Sequence, residues 1–431
     1  MPVLDWSSSA RSRFVCTVCR DGRDKRRIVS CEGYDVYRCG ACACLLCHPV
    51  PEAGEVPRAA DELLLRDHLE MNAALETQCR EVEALIHRSA GRLLDVSCGF
   101  GFSVDYAQRV CGWEAVGFEP SAWGAAGRGQ LGVDIRRQAL ALNSGSSALF
   151  DVVYCSGAIA REQDPWRFLH ALVSYLKPGG TLFLSTPDAE RIRPAYPPAA
   201  TLAMLSPGRH VALLCADALA GMLRVLGFES VHIDSAGSHL AVTATRGAAA
   251  APAGEPADGF IRRYREYLAA VQRSARPDSA LHRGCVYRLY RSYVDALDWA
   301  AAAAVFDESL IAEHPKLDDI RSFAAFAQRF PLCVAPMTYC RALQTLNDQA
   351  DYARAARLFR AAQALCRKKM EVEPDRSVVE EELLWRAVLH EGIACKYAGR
   401  RREVVAIARA ILAEESAAPE PIRERAAREL A

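Results

Sequence analysis

Four cysteines and one glycine-acid segment carry the residue types in this chain best suited to chemistry. Cys16-Thr-Val-Cys19 is followed by Cys39-Gly-Ala-Cys42. Each CxxC places two thiolates at one turn, and two such turns complete a tetrahedral sulfur shell of the kind zinc prefers. The gap between the pairs is that of a zinc ribbon. Cys16, Cys19, Cys39 and Cys42 are therefore expected to hold one structural Zn2+; the competing reading is a set of buried or redox thiols. Cys44, Cys47 and His48 follow at once and read as packing residues. Further along, Leu93 to Glu119 runs LLDVSCGFGFSVDYAQRVCGWEAVGFE. Gly99 and Gly101 sit just past an apolar run, where a backbone without side chains can approach a nucleoside. Glu119 ends the next apolar run, where a carboxylate can accept from two ribose hydroxyls. A dinucleotide fingerprint would need a third glycine where Val104 stands, which weakens a pyrophosphate reading.

These residues need elements to position them. Between Cys19 and Cys39, short apolar and aromatic runs around Gly33 predict a hairpin, in a segment so small that a metal must supply much of its folding energy. Residues 61–88 carry leucines at helical spacing among charges. Then strand-like and helix-like runs alternate: RLLDVS, VDYAQRV, EAVGFE, SAWGAAGRGQ, VDIRR, FDVVYCS, PWRFLHALVSYL, TLFLSTP and ALAGMLRVLGF. ESVHID and HLAVTATR close the series without a helix between them, which predicts an antiparallel hairpin at a sheet edge. The alternation predicts an α/β domain with a largely parallel, Rossmann-like sheet. Residues 247–258, rich in Ala, Pro and Gly, read as a linker. Beyond them only helical patterns appear. Leu289, Tyr293, Trp299, Ala302, Phe306 and Pro315 resemble the positions of a tetratricopeptide repeat, with a longer and less regular period. The expected organisation is a zinc ribbon at 1–55, connecting helices at 56–88, an α/β domain at 89–246, the linker, and an all-α repeat-like domain at 259–431 that serves a protein partner, a substrate, or stability alone.

Several of these stretches together resemble class I S-adenosylmethionine-dependent methyltransferases. Asp95-Val96-Ser97-Cys98-Gly99-Phe100-Gly101 is similar to the first motif of that family, Glu119-Pro120-Ser121 to the second, and Phe150 to Cys155 to the fourth strand. Asp164-Pro165 and Leu176-Lys177-Pro178-Gly179-Gly180 resemble the block before the fifth strand. The resemblance runs from about residue 89 to 246 and implies S-adenosylmethionine as cofactor. It places Asp95 at the amino-acid end, Glu119 at the ribose, and Ser156 facing the methyl, with Ser97, Cys98, Gly99, Gly101 and Pro120 around them. Ser97 stands where the family has a glycine, a replacement tolerable if the backbone there keeps a negative φ. Where relatives carry Glu-His before Asp-Pro, this chain has Ala160 and Arg161. A hydroxyl acceptor needs a base within reach, and His210 is the remaining candidate; cap or packing residue is the plainer reading of it.

Composition bounds the partners. The 431 residues are 51% hydrophobic and 25% charged, with a formal net charge of zero. That suits a packed protein and disfavours a broad nucleic-acid surface. No apolar run is long enough to span a bilayer. The N-terminus does not look like a signal peptide, so the 17 cysteines are expected to be mostly reduced thiols in the cytoplasm. The function expected is methyl transfer, on oxygen of a glycan or small molecule. Carbon methylation of a nucleotide-sugar, RNA methylation, and a cofactor-binding scaffold without transfer remain open beside it.

Overall fold

Twelve strands build two sheets in the computed structural model, which describes residues 4–7, 10–50, 58–71, 74–86, 90–141, 149–235, 237–247, 257–413 and 416–430. The strands are β1 (Arg11–Arg13), β2 (Asp24–Cys31), β3 (Tyr34–Arg38), β4 (Leu45–His48), β5 (Arg92–Val96), β6 (Glu114–Phe118), β7 (Ile135–Arg136), β8 (Phe150–Ser156), β9 (Leu176–Pro187), β10 (Ala212–Leu213), β11 (Ser230–Asp234) and β12 (His239–Thr245). Two compact units arise, one holding residues 2–55 and 74–267, the other 56–73 and 268–431. Residues 56–73, expected among the connecting helices, thus group with the C-terminal helices. The expected linker lies almost wholly outside the described residues.

In the first unit the small sheet has the order β1-β2-β3-β4-β10 and the large one β11-β12-β9-β8-β5-β6-β7. In the large sheet β7, β6, β5, β8 and β9 run parallel, β12 pairs antiparallel with β9, and β11 pairs antiparallel with β12. The chain leaves β5 in one direction along the sheet to β6 and β7, then returns to the other side at β8. That reversal opens a crevice at the carboxyl end of β5, where ligands of open α/β sheets bind. Gly99, Gly101 and Ser156 follow the strands that flank it.

The helix starts are written in the sequence. Ser121 caps the helix Ala122–Leu131 by accepting from the Trp123 N–H at 3.2 Å. Asp164 accepts from the Trp166 and Arg167 N–H groups at 3.1 Å, and Pro165 fills the first helical position of Pro165–Val173. Asp-Pro is thus a helix start, where an acid offsets orphan donors and proline loses no bond.

The small sheet belongs mostly to the N-terminal ribbon, with the β2–β3 hairpin turning at Glu32 and Gly33. Its fifth strand is not local. Ala212 and Leu213 pair antiparallel with Leu46 and Leu45, so a piece of the α/β chain is stitched into the ribbon sheet. The Trp166 indole N–H adds a second tie by donating to the Val18 carbonyl at 2.7 Å.

Every regular element among the described residues of the second unit is a helix. Helix Arg58–Met71 lies close against Ala280–Asp295, because Gly284 leaves no side chain to meet the Leu69 carbonyl. Tyr287, Tyr290, Phe326 and Phe359 form its fully buried aromatic core. No described helix is long and apolar enough to cross a membrane.

Candidate active site and metal centre

The two CxxC turns share one backbone construction. The Arg20 N–H donates to the Cys16 carbonyl at 2.9 Å, and the Ala43 N–H to the Cys39 carbonyl at 3.0 Å. Arg20 and Ala43 both adopt the left-handed conformation that closes such a turn. The result brings the sulfurs of Cys16, Cys19, Cys39 and Cys42 within 4.8 Å of one another. Four sulfurs so crowded, with no carboxylate or imidazole among them, match a tetrahedral thiolate site. Cys44 and Cys47 are buried outside this group.

The crevice at β5 is built from the next segment. Asp95 occupies β5 beside Tyr154 of β8 and is buried, its carboxylate accepting from the Ser103 hydroxyl. Burial pushes the Asp95 pKa up to about 8, with the Ser103 bond opposing and the Glu119 charge adding to the rise. Glu119, at the end of β6, turns back over the glycine turn: one oxygen accepts from the Gly99 N–H and the other from the Ser121 N–H, both at 3.0 Å. A carboxylate already oriented by backbone donors beside a glycine turn suits the ribose edge of a nucleoside. Gly101 has φ +89°, and a Cβ there would strike Ile135. Gly127, from the helix Ala122–Leu131, lies so close to the Phe100 carbonyl that any side chain would displace the turn.

Ser97 departs from expectation. Its φ is +61°, not negative, and this turns the Cys98 N–H, at 3.3 Å, toward the same Phe118 carbonyl of β6 that the Ser97 N–H reaches at 2.8 Å. Serine therefore occupies a left-handed position that glycine would fill at less steric cost. Cys98 is half-buried beside it, and Pro120 is exposed at the rim. Ser156 ends β8 one strand from Asp95.

Ala160 and Arg161 fall in a single helical turn after β8, Ala160 buried and Arg161 exposed. The Ala160 carbonyl accepts from the Val211 N–H at 2.7 Å, which brings His210 next to this turn. His210 Nδ1 lies 2.7 Å from the Met204 carbonyl. A carbonyl only accepts, so Nδ1 carries the proton and Nε2 is left bare. Burial holds the His210 pKa below the usual histidine range, with the Arg161 charge and His239 acting in the same direction. The ring also lines a small nook with Tyr34, Cys47 and Leu213.

His239 begins β12 opposite Pro187 at the end of β9, on the same edge of the sheet. Its ring is open to water, although surrounding protein lowers its pKa. Both Ser103 and His239 escape sequence reasoning. Neither belongs to a spaced motif: Ser103 gains meaning from its bond to Asp95, and His239 from strand register.

A family described as a methyltransferase domain matches residues 70–233. Residues 70–233 form a methyltransferase domain. Several solved structures resemble the methyltransferase region. One is an S-adenosylmethionine-dependent methyltransferase, possibly a histamine N-methyltransferase, from Thermotoga maritima, at 18% identity and TM-score 0.35, covering 44% of this chain and 95% of that one. Another is a methyltransferase from Mesorhizobium loti, at 20% identity and TM-score 0.34, covering 41% and 99%. A third is an O-methyltransferase family protein from Burkholderia thailandensis, at 18% identity and TM-score 0.35, covering 43% and 60%. No curated protein matches the chain.

Proposed function

We propose that this enzyme methylates an oxygen of a small-molecule or glycan acceptor, with His210 as the base. The observation that carries the reading is the fixed imidazole. Its Nδ1 is committed to the Met204 carbonyl and burial disfavours its charged form, so Nε2 is a ready proton acceptor on a residue adjoining the turn that follows β8. S-adenosylmethionine supplies a methyl already activated by a sulfonium charge, so the protein mainly has to orient the acceptor. Glu119 and the turn from Ser97 to Gly101 would hold the nucleoside, with Cys98 and Pro120 beside them. Asp95 would receive the ammonium end and Ser156 would face the reacting group. Arg161, always protonated, would orient an acidic acceptor and cannot serve as base.

The four-cysteine cluster is assigned to structural zinc. Its work would be indirect: the ribbon sheet holds β10, and β10 follows His210 by two residues. The helical unit is assigned to docking of a protein partner.

The test begins with labelled cofactor and extracts of glycan, lipid and RNA, to find the acceptor class. Single-turnover methylation of that acceptor then compares wild type with His210→Ala. A positioned base contributes about 10²–10⁴-fold, so the variant should lose that much rate while binding cofactor normally. A rate within about threefold of wild type would leave His210 structural, since it falls far below a base's usual contribution.

A further inference from the structure

A cavity of about 420 Å3 lies between the ribbon sheet and the segment after β9. Arg26, Arg27 and Arg38 line it from β2 and β3, joined by Arg193, Trp6 and Pro194. We propose that this cavity binds a small organic phosphate, the arginines holding the phosphate oxygens and Trp6 the organic body. The site does not depend on which atom the enzyme methylates.

Strand register makes the arginine cluster unusual. Arg26 lies directly opposite Arg38 on one side and opposite Arg11 on the other. Directly opposed residues share a face of the sheet, and like charges in that position destabilise it. Among the described residues no acidic one lines the cavity. Arg27, next along β2 and opposite Tyr37, turns to the other face and pairs there with the Asp35 carboxylate at 3.0 Å, so the donors left for a ligand are those of Arg26, Arg38 and Arg193. Arg38 is satisfied only in part, donating to the Ala43 carbonyl at 3.3 Å. Among the described residues no carboxylate pairs with Arg26, Arg38 or Arg193. A phosphate would relieve the repulsion and fill the free donor sites, since the guanidinium fork matches phosphate oxygens in pairs.

The nearby thiolate cluster does not account for this row. Arg23, the cation on that side, is held by Asp21 at 2.7 Å, and Lys25 is tied to the same Asp21 at 3.1 Å. Arg26 points to the opposite face from Lys25, because side chains alternate along a strand. Size and surface select the ligand class. The volume falls within the range of about 300–1,000 Å3 usual for small-molecule pockets. Trp6, Ile28, Ile192 and Pro194 supply an apolar wall beside the charges.

Calorimetry on the full-length, zinc-loaded protein at low salt tests the site with phenyl phosphate and inorganic phosphate, in the absence of cofactor and acceptor. Phenyl phosphate should bind more tightly than inorganic phosphate, and Trp6→Ala should remove the difference. Arg26→Ala should weaken phenyl phosphate binding about tenfold or more, as expected for a lost hydrogen bond between charged groups. Arg193→Ala, on an exposed segment, should weaken it as well without affecting folding. Arg11→Ala, in the same row but outside the cavity, should leave it near wild type. Zinc content and melting temperature check that each variant is folded. No binding of phenyl phosphate at millimolar concentration would overturn the proposal. So would equal affinity for the two phosphates, or a loss in Arg11→Ala as large as in Arg26→Ala, which would mark a diffuse field instead of a site.

Discussion

Asp95→Asn separates charge from shape at the cofactor site. The carboxyl is buried and its pKa is pushed up to about 8, so at pH 7 only about a tenth of the free protein carries the carboxylate. If the cofactor's ammonium binds that carboxylate, binding must first remove the proton. That costs about 1.4 kcal/mol at pH 7, since each pH unit below the pKa is worth that much. Affinity should therefore rise almost tenfold between pH 6 and pH 7, with close to one proton released per cofactor bound. Asp95→Asn keeps the shape of the protonated form and removes the titration. Its affinity should be weaker above pH 7 and flat over the same window. The cofactor's own α-amino group titrates near pH 8, but it does so equally with both proteins, so the comparison cancels it. Calorimetry in two buffers of different ionisation enthalpy measures both affinity and proton release. Wild-type affinity that stays flat from pH 6 to pH 7, with no proton released, would refute the reasoning. Stability follows the same linkage with the opposite appearance. A carboxyl whose folded pKa is raised binds extra protons when folded, so it favours the fold at low pH. That contribution is lost as pH rises from the unfolded value of about 4 toward 8, and the slope should vanish in Asp95→Asn.

Three further outcomes are expected. Elemental analysis should find about one zinc per chain, as a four-thiolate site requires, and Cys16→Ser with Cys39→Ser should abolish it; unchanged zinc would reject the assignment. Glu119→Ala should weaken S-adenosylmethionine binding about tenfold or more, because hydrogen bonds to charged groups are worth roughly 1.5–3 kcal/mol. Calorimetry showing tight binding of a nicotinamide dinucleotide and none of S-adenosylmethionine would refute that reading. Ser97→Gly should be neutral or stabilising by up to about 1 kcal/mol in urea unfolding, since relief of left-handed strain outweighs the added chain entropy; a clear loss of stability would show that the serine side chain matters there.

The sequence by itself determined the alternation of strands and helices from Arg92 to Thr245, because apolar spacing and helix caps such as Asp164-Pro165 are local signals. It also determined the grouping of Cys16, Cys19, Cys39 and Cys42, because each CxxC is a turn complete in itself and only the hairpin between them had to form. Other features depended on distant partners. The positive φ at Ser97 goes with the convergence of the Ser97 and Cys98 N–H groups on the Phe118 carbonyl of the neighbouring strand, which no reading of residues 95–101 contains. The raised pKa of Asp95 comes from burial that only the assembled sheet creates. Ala212 and Leu213 are too short a run to announce a strand, and they became one because β4 offered an open edge. Arg26, Arg38 and Arg193 look like scattered surface charges along the chain. Register across β2 and β3, with a bulge between Arg27 and Val29, set the first two side by side, and the segment after β9 brought the third to the same cavity. Local periodicity and turn chemistry are encoded within a few residues. Backbone sign, burial and charge clustering are set by which distant strands pair, and that is decided only when the whole chain has closed on its core.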